Sequence, residues 1–499
     1  MDFLDPQKER RNHVVLIVSY CLIAVAIALM SWMLLKQTDG YCLSRDGTVD
    51  RCGLIFVSSQ PAGADVYING SLQKFQTNSK TNLRSGTYTV RLARDGYTEW
   101  NRTITVAGGD VQRFDYPVLF PAKLKSAQVA TFANQLHFVS QSPGRRWLVA
   151  ADTAQPSQLQ VFDLKNADKP SAKIVPQQPT VFTAAESVQS WNVLEWADDE
   201  RHVLTQRVFT NGTSKAREYI LLDRQDGTQA RNLTSELALL PADEIRFFNK
   251  KQNQFYIYNT ETKLLRTAQL GTNPPNALRL ERVISYKAYG DDTVLYVTDT
   301  PLGEKQTPGY VSVVLQQGTR SSVLKRLAVA DTYLLDIAEY DGKWYVVTGT
   351  NALKGVYVFR NPLDAVLAKP TDTPLPFRFL KLINPQHVAF SANAQFVVAN
   401  RGAEHTVYDI EYEGVYHYTE PTPLDEPQAP TSWMDGNRLW YVSSGKVVVH
   451  DYDNLNRQTL QDALPQYGVY FAPNYLRGYS LTQQANGTLQ LMQTSYVLE

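Results

Sequence analysis

The sequence predicts an all-β protein carried on one N-terminal transmembrane helix, a small β-sandwich being followed by a β-propeller of eight blades, with seven the alternative count. Three observations carry this reading. An uncharged apolar run extends from Val14 to Leu35; alternating strands with tight-turn dipeptides fill residues 53–121; and a turn-and-strand unit recurs eight times between residue 122 and the end.

The apolar run comes first. At 1.5 Å per residue a helix over VVLIVSYCLIAVAIALMSWMLL reaches roughly 30 Å, the thickness of a bilayer's hydrocarbon core. A cleavable signal would place its small-x-small site after a shorter apolar core. Here Ala24-Val25-Ala26 and Ala26-Ile27-Ala28 lie inside the run, with Met30, Trp32 and Leu35 still to come. A retained anchor over 14–35 is therefore expected. Lys8, Arg10 and Arg11 sit close before it, whereas Lys36, Arg45 and Arg51 follow at greater average distance. That positive-inside bias is slight, and the cysteine pair that follows supplies the second argument for orientation, by which residues 1–13 are expected to be a cytoplasmic tail, too short for an output domain of its own.

The juxtamembrane loop, 36–52, contains YCLSRDGTVDRC, with Cys42 and Cys52 around a polar Gly-containing turn. A pair of cysteines closing a short loop, in a chain with three, fits a disulfide in an oxidising compartment. Zinc would need further ligands, and no His lies between Tyr41 and Val90. The spacing is not that of a C-x-x-C redox pair. Two reduced thiols are the alternative. Cys21, within the span, reads as an apolar packing residue.

Residues 53–121 alternate as strands do. Val66 and Ile68 alternate with Asp65 and Asn69, and Asn69-Gly70 suits a tight hairpin. Tyr88, Val90 and Leu92 share a face, and Asp95-Gly96 makes the next turn. Thr103-Ile104-Thr105-Val106, Gly108-Gly109 and Arg113-Phe114-Asp115-Tyr116 continue the pattern, giving an antiparallel sandwich. The stretch Pro61-Ala62-Gly63-Ala64-Asp65-Val66-Tyr67-Ile68-Asn69-Gly70, with Gly86-Thr87-Tyr88-Thr89-Val90-Arg91-Leu92 and Asp95-Gly96-Tyr97, resembles the PEGA domain, a β module of prokaryotic envelope and surface proteins. Ala62 stands where that family usually has Glu, while the turn-forming Pro and Gly remain. The resemblance implies an extracytoplasmic, non-catalytic module and transfers no ligand.

From 122 onward, short apolar strands recur around polar turns: SPGRRWLVAA (142–151), WADDERHVLTQ (196–206), NKKQNQFYIYN (249–259), YGDDTVLYVTD (289–299), YDGKWYVVTG (340–349), SANAQFVVANR (391–401), MDGNRLWYVSS (434–444) and YLRGYSLTQ (475–483). Most continue into a further strand such as LQVFDLK, EYILLDRQDG, GVYVFRN or KVVVHDYDN. The spacing suits four-stranded propeller blades, which stack because one blade cannot bury both its faces. The segment loosely resembles bacterial propellers with WD40-like or TolB-like repeats, without a regular Trp-Asp or Gly-His signature. Pro-rich stretches at 370–377 and 419–430 read as connecting loops.

Chemistry is sparse. Lys plus Arg equals Asp plus Glu at 49 each, so no electrostatic footprint for nucleic acid is present. No zincin, nucleophile-elbow, Walker or kinase motif occurs, and no cofactor is expected. The seven His, at 13, 137, 202, 387, 405, 417 and 450, show no pair at ligand spacing and read as strand or loop residues. Asp198-Asp199-Glu200 and Asp291-Asp292 read as turn caps; Asp451-Tyr452-Asp453-Asn454 begins like a calcium loop but lacks its Gly and distal Glu. Trp191, Trp196, Trp344, Trp433, Trp440 and Tyr441 are expected to pack between blades, a minority being available to stack on a sugar or peptide. Five triplets, beginning at Asn69, Asn101, Asn211, Asn232 and Asn486, fit the N-glycosylation pattern. The PEGA resemblance implies a prokaryotic host, in which they are coincidental.

The expected function is non-catalytic: an extracytoplasmic interaction or scaffold protein of the cell envelope, single-pass with its N-terminus inside. Its propeller would bind an envelope protein or a cell-wall glycan. The alternative is an enzyme acting on envelope polysaccharide or peptide, with scattered carboxylates and His meeting at the propeller axis.

Overall fold

A computed structural model describes residues 6–38, 40–43, 49–166, 169–271, 278–300, 308–364 and 373–498. The first residues of the expected tail, the Gly-containing turn between the two cysteines, and the start of the Pro-rich stretch at 370 lie outside the described residues. The chain divides into two compact units, Met1–Lys123 and Leu124–Glu499.

In the first unit a helix, α1, runs Pro6–Thr38. Its stretch His13–Lys36 has a hydropathy of 2.7 and no part of its most apolar window is buried within the protein. The stretch is long and apolar enough to cross a membrane.

Among the described residues eight strands follow: β1 Tyr41–Leu43, β2 Val49–Val57, β3 Asp65–Ile68, β4 Ser71–Gln76, β5 Ser79–Arg84, β6 Gly86–Ala93, β7 Trp100–Val106 and β8 Val111–Phe114. They form two sheets, one ordered β4-β3-β6-β7, the other β1-β2-β5 with β8 also on β2. Alternation sends Val66, Ile68, Val90, Leu92 and Ile104 from one sheet, and Ile55, Val57 and Phe114 from the other, into one core around Trp100. The β3–β4 hairpin turns on Asn69 and Gly70, whose φ angles of 49° and 79° are those of a primed turn.

Two expectations are corrected here. The sandwich is not wholly antiparallel, because β8 pairs parallel to β2, Leu54 opposite Val111 and Val57 opposite Phe114. The segment 36–52 is not simply a loop: α1 continues to Thr38, and Cys42 and Cys52 lie in paired strands. The two cysteines are joined in a disulfide, their Cα atoms 5.7 Å apart. Just before it, Gly40 (φ +81°) passes so close to the Gly108-Gly109 backbone that a Cβ there would lie 2.1 Å from Gly109 N. Only glycine fits that crossing.

The second unit holds, among the described residues, eight four-stranded sheets in chain order. Each recurring stretch of the sequence is one sheet's second strand with its preceding turn: Trp147–Asp152, His202–Asn211, Gln254–Asn259, Thr293–Thr298, Lys343–Thr350, Phe396–Arg401, Arg438–Ser443 and Arg477–Gln483. The eighth sheet is completed by β9, Lys125–Phe132, which pairs antiparallel with Leu489–Ser495, so both ends of the unit share one sheet. Neighbouring sheets bury apolar clusters between them. Val149 and Val161 of the first meet Trp191 and Val203 of the second, and Leu148 of the first meets Tyr479 and Leu481 of the eighth. Eight sheets packed in this order fit a propeller-like fold.

A polar device recurs beside the apolar one. The third strands of sheets one, two and six end in Asp163, Asp223 and Asp409. Each carboxylate accepts the backbone N–H two residues on: Lys165 at 2.9 Å, Gln225 at 2.8 Å and Glu411 at 3.0 Å. In the first two sheets an arginine from the turn before the second strand clamps the same carboxylate, Arg146 at 2.7 Å and Arg201 at 2.7 Å. The turn is thereby locked to the strand it leaves.

Candidate functional site

The site is built on the sixth and seventh sheets. Glu420 directly follows the sixth sheet's last strand, Val415–Thr419, inside a stretch read from sequence as a Pro-rich loop. It is only 5% exposed. Its Oε2 accepts from Arg457 Nη2 at 2.6 Å, and its Oε1 lies 2.9 Å from His450 Nε2 and 3.8 Å from His405 Nδ1. Arg457 also reaches the hydroxyl of Tyr441 and the side-chain oxygen of Asn454. His405 stacks on Tyr418, 5.2 Å between ring centres, and His450 meets the same ring edge-on at 5.7 Å.

Burial pulls the His405 imidazole down to about 4, outweighing the nearby Glu420 charge, so the ring is neutral at neutral pH. Its hydrogen bonds agree: Nδ1–H donates to Ala403 O at 2.9 Å, and Nε2 accepts from the Thr431 hydroxyl at 2.7 Å. Burial acts on Glu420 in the opposite sense and would raise its carboxyl. Contact with His450 and the charge of Arg457 overcome it and hold Glu420 at about 2. Burial likewise lifts the Tyr418 phenol well above its ordinary value.

Two cavities adjoin the cluster, and His405 lines both. A small one, about 80 Å³, lies against Thr431, Trp440 and Tyr441. A larger one, about 640 Å³, lies between the fifth and sixth sheets and is lined by Lys354, Phe379, Lys381, His417 and Tyr418.

The histidines lie far apart in sequence, and the fold brings three of them together. His405, His417 and His450 are brought into one neighbourhood, His417 through a 2.9 Å hydrogen bond to Thr406. The others stay apart: His13 lies in α1, His137 in the strand Leu136–Gln141, His202 is 2.6 Å from Asp199, and His387 lies 2.9 Å from Gln428 O. The convergence uses third and fourth strands and their connections rather than the first strands.

The acidic clusters cap turns. Asp199 accepts from the backbone N–H of Arg201 at 2.8 Å and of His202 at 3.0 Å; Asp292 accepts from Thr293 Oγ1 at 2.8 Å; Asp451 accepts from Asn456 at 2.8 Å. No group of three or more His, Cys, Asp or Glu among the described residues is arranged to hold a metal ion. The large aromatics pack between sheets: Trp191 on Phe138 at 5.2 Å, Trp344 on Tyr289 at 5.2 Å, Trp433 on Phe396 at 6.0 Å and Trp440 on Phe471 at 6.3 Å.

Comparison with known proteins identifies one segment. Residues 52–118 match the PEGA domain family, which makes the two-sheet sandwich a PEGA domain. No curated protein matches the chain. Among solved structures, the chain is similar to one described as the eukaryotic initiation factor (9% identity, 69% of this chain and 93% of that one, TM-score 0.36). It is also similar to dihydro-heme d1 dehydrogenase NirN in complex with DHE (14% identity, 66% and 67%, TM-score 0.39). A third is a chain of a mitotic checkpoint complex (10% identity, 76% and 93%, TM-score 0.31).

Proposed function

We propose that the protein is a single-pass, membrane-anchored interaction or scaffold protein of the bacterial cell envelope. Its N-terminus lies in the cytoplasm and its eight-sheet unit, closed as a propeller, binds an envelope protein or a cell-wall glycan. One observation carries the reading: a helix able to span a bilayer leads, through a disulfide-clipped strand pair, directly into a PEGA domain. Disulfides persist outside the reducing cytoplasm, which supports a sandwich and an eight-sheet unit lying on the far side of the membrane. Rigid sheets with loops at their ends then offer a preformed binding surface.

The convergence of Glu420, His405 and His450 supports a second reading, an enzyme acting on envelope polysaccharide or peptide. A general acid or base works best with a pKa near the operating pH. His405 at about 4 and Glu420 at about 2 are both far from neutral, and Glu420 is tied to Arg457. Binding fits this geometry better than turnover. Crosslinking on intact cells, followed by identification of the molecules joined to the chain, tests the proposal. Envelope proteins or wall fragments are expected; recovery of cytoplasmic proteins alone would overturn both topology and role.

A further inference from the structure

The cleft between the fifth and sixth sheets has walls that specify a ligand. On one side the strand Arg378–Lys381 leads on to Ile383. Phe379 and Lys381 are exposed, Leu380 is buried between them, Leu382 is buried, and Ile383 is 59% exposed. Phe379 and Lys381 therefore project at alternate positions of the strand, about 6.6 Å apart, and Ile383 follows them in the bend just beyond it. Opposite them, His417 and Thr419, two of the three exposed residues of the strand Val415–Thr419, line the cleft.

The sheets are tied at the cleft's floor. The Thr406 hydroxyl donates its proton to Lys381 O at 2.7 Å, so the 2.9 Å contact with His417 Nδ1 has the imidazole as donor. That fixes the His417 ring and leaves Nε2 without a partner among the described residues. Lys354 and Lys381 have no carboxylate partner among the described residues either. Glu404, the wall's acidic residue, is engaged by Arg401 through both oxygens at 2.7 Å. The Phe379 ring is backed by Tyr357, 4.9 Å away, yet keeps 40% of its surface in solvent. Exposed apolar side chains beside uncompensated lysines mark a surface that a partner covers.

We propose that this cleft docks an extended segment of a partner protein in which an acidic residue has apolar residues two positions away on either side. The acidic residue meets Lys381 and Lys354, and the apolar ones cover Phe379 and Ile383. The strands Arg378–Lys381 and Val415–Thr419 each end their sheet's pairing order, so an added strand can reach their outer backbone groups, Lys381 O offering only its second lone pair because the Thr406 hydroxyl holds the first. A peptide can use those groups, which a glycan uses poorly, and the wall's carboxylate is already engaged by Arg401 where sugar hydroxyls would need it. The proposal rests on the interaction reading above and names the partner's chemistry.

The test uses the full chain in lipid nanodiscs to pan a displayed library of random peptides of about eight residues. Selected sequences should carry Asp or Glu with apolar residues two positions away on both sides. A selected peptide should lose about tenfold or more in affinity for Lys381→Glu, and the same peptide with its acidic residue changed to Lys should bind that variant again. Selection of no such pattern, or equal affinity for Lys381→Glu, overturns the proposal. So does binding of polygalacturonate that depends on Lys381 while no peptide is selected. An envelope crosslink on intact cells that survives Lys381→Glu sinks the groove and leaves the broader function standing.

Discussion

Glu218 in the second sheet and Glu420 at the end of the sixth are both carboxylates buried beside arginines, and they are held differently. Glu218 is 2% exposed and meets Arg207, from the adjacent strand, at 2.5 Å. It also accepts from Thr183 N at 3.2 Å, Thr183 Oγ1 at 2.6 Å and Asn232 Nδ2 at 3.1 Å. Glu420 instead takes its cation, Arg457, and its nearest imidazole, His450, from the next sheet. The first is an internal rivet with fixed donors; the second ties two sheets together and adjoins open cavities.

The contrast can be broken at either end. Arg207→Ala leaves Glu218 buried without a countercharge, and it should cost about 3–5 kcal/mol of stability, read as a lowered denaturation midpoint. Acidification acts on the other site. His405 binds its proton more weakly in the folded chain, at about 4 against an ordinary 6.5, so the unfolded chain takes up more protons between those values. Stability should fall by about 3 kcal/mol as pH drops from 6.5 to 4, and His405→Gln should flatten that slope in melts recorded across pH. The Glu420 contribution is fully present above pH 4.5 and is lost from there down to about 2. Thr431→Val, which removes the donor to His405 Nε2, should cost about 1 kcal/mol at neutral pH. Lys381→Glu, on an exposed wall, should change stability by less than about 0.5 kcal/mol while altering the ligands the cleft binds.

How much the sequence disclosed depends on which faces are buried. Some second strands of the eight sheets stand out as continuous apolar runs, such as LVAA or FVVA, because both their faces are covered. In the sandwich, β6 and β7 announce themselves by clean alternation. The strands β4 and β5 do not, since SLQKFQ and SKTNLR have no fully buried position and so carry no apolar face to read. Alternation has no direction either, so it could not show that β8 runs parallel to β2. The Glu420 cluster was hidden for another reason. His405, Glu420 and His450 lie on different strands and connections, and only the packing of the sixth sheet against the seventh unites them. The sign available in advance was an acidic residue opening a Pro-rich stretch that charged residues elsewhere could reach.

Topology is the claim on which the functional reading stands, and protease protection measures it directly. With an epitope added at the N-terminus, proteinase K applied to sealed spheroplasts should degrade the PEGA domain and the eight-sheet unit and leave the epitope intact. Survival of the eight-sheet unit in sealed spheroplasts, followed by its digestion once the membrane is opened, would place that mass in the cytoplasm and contradict the reading.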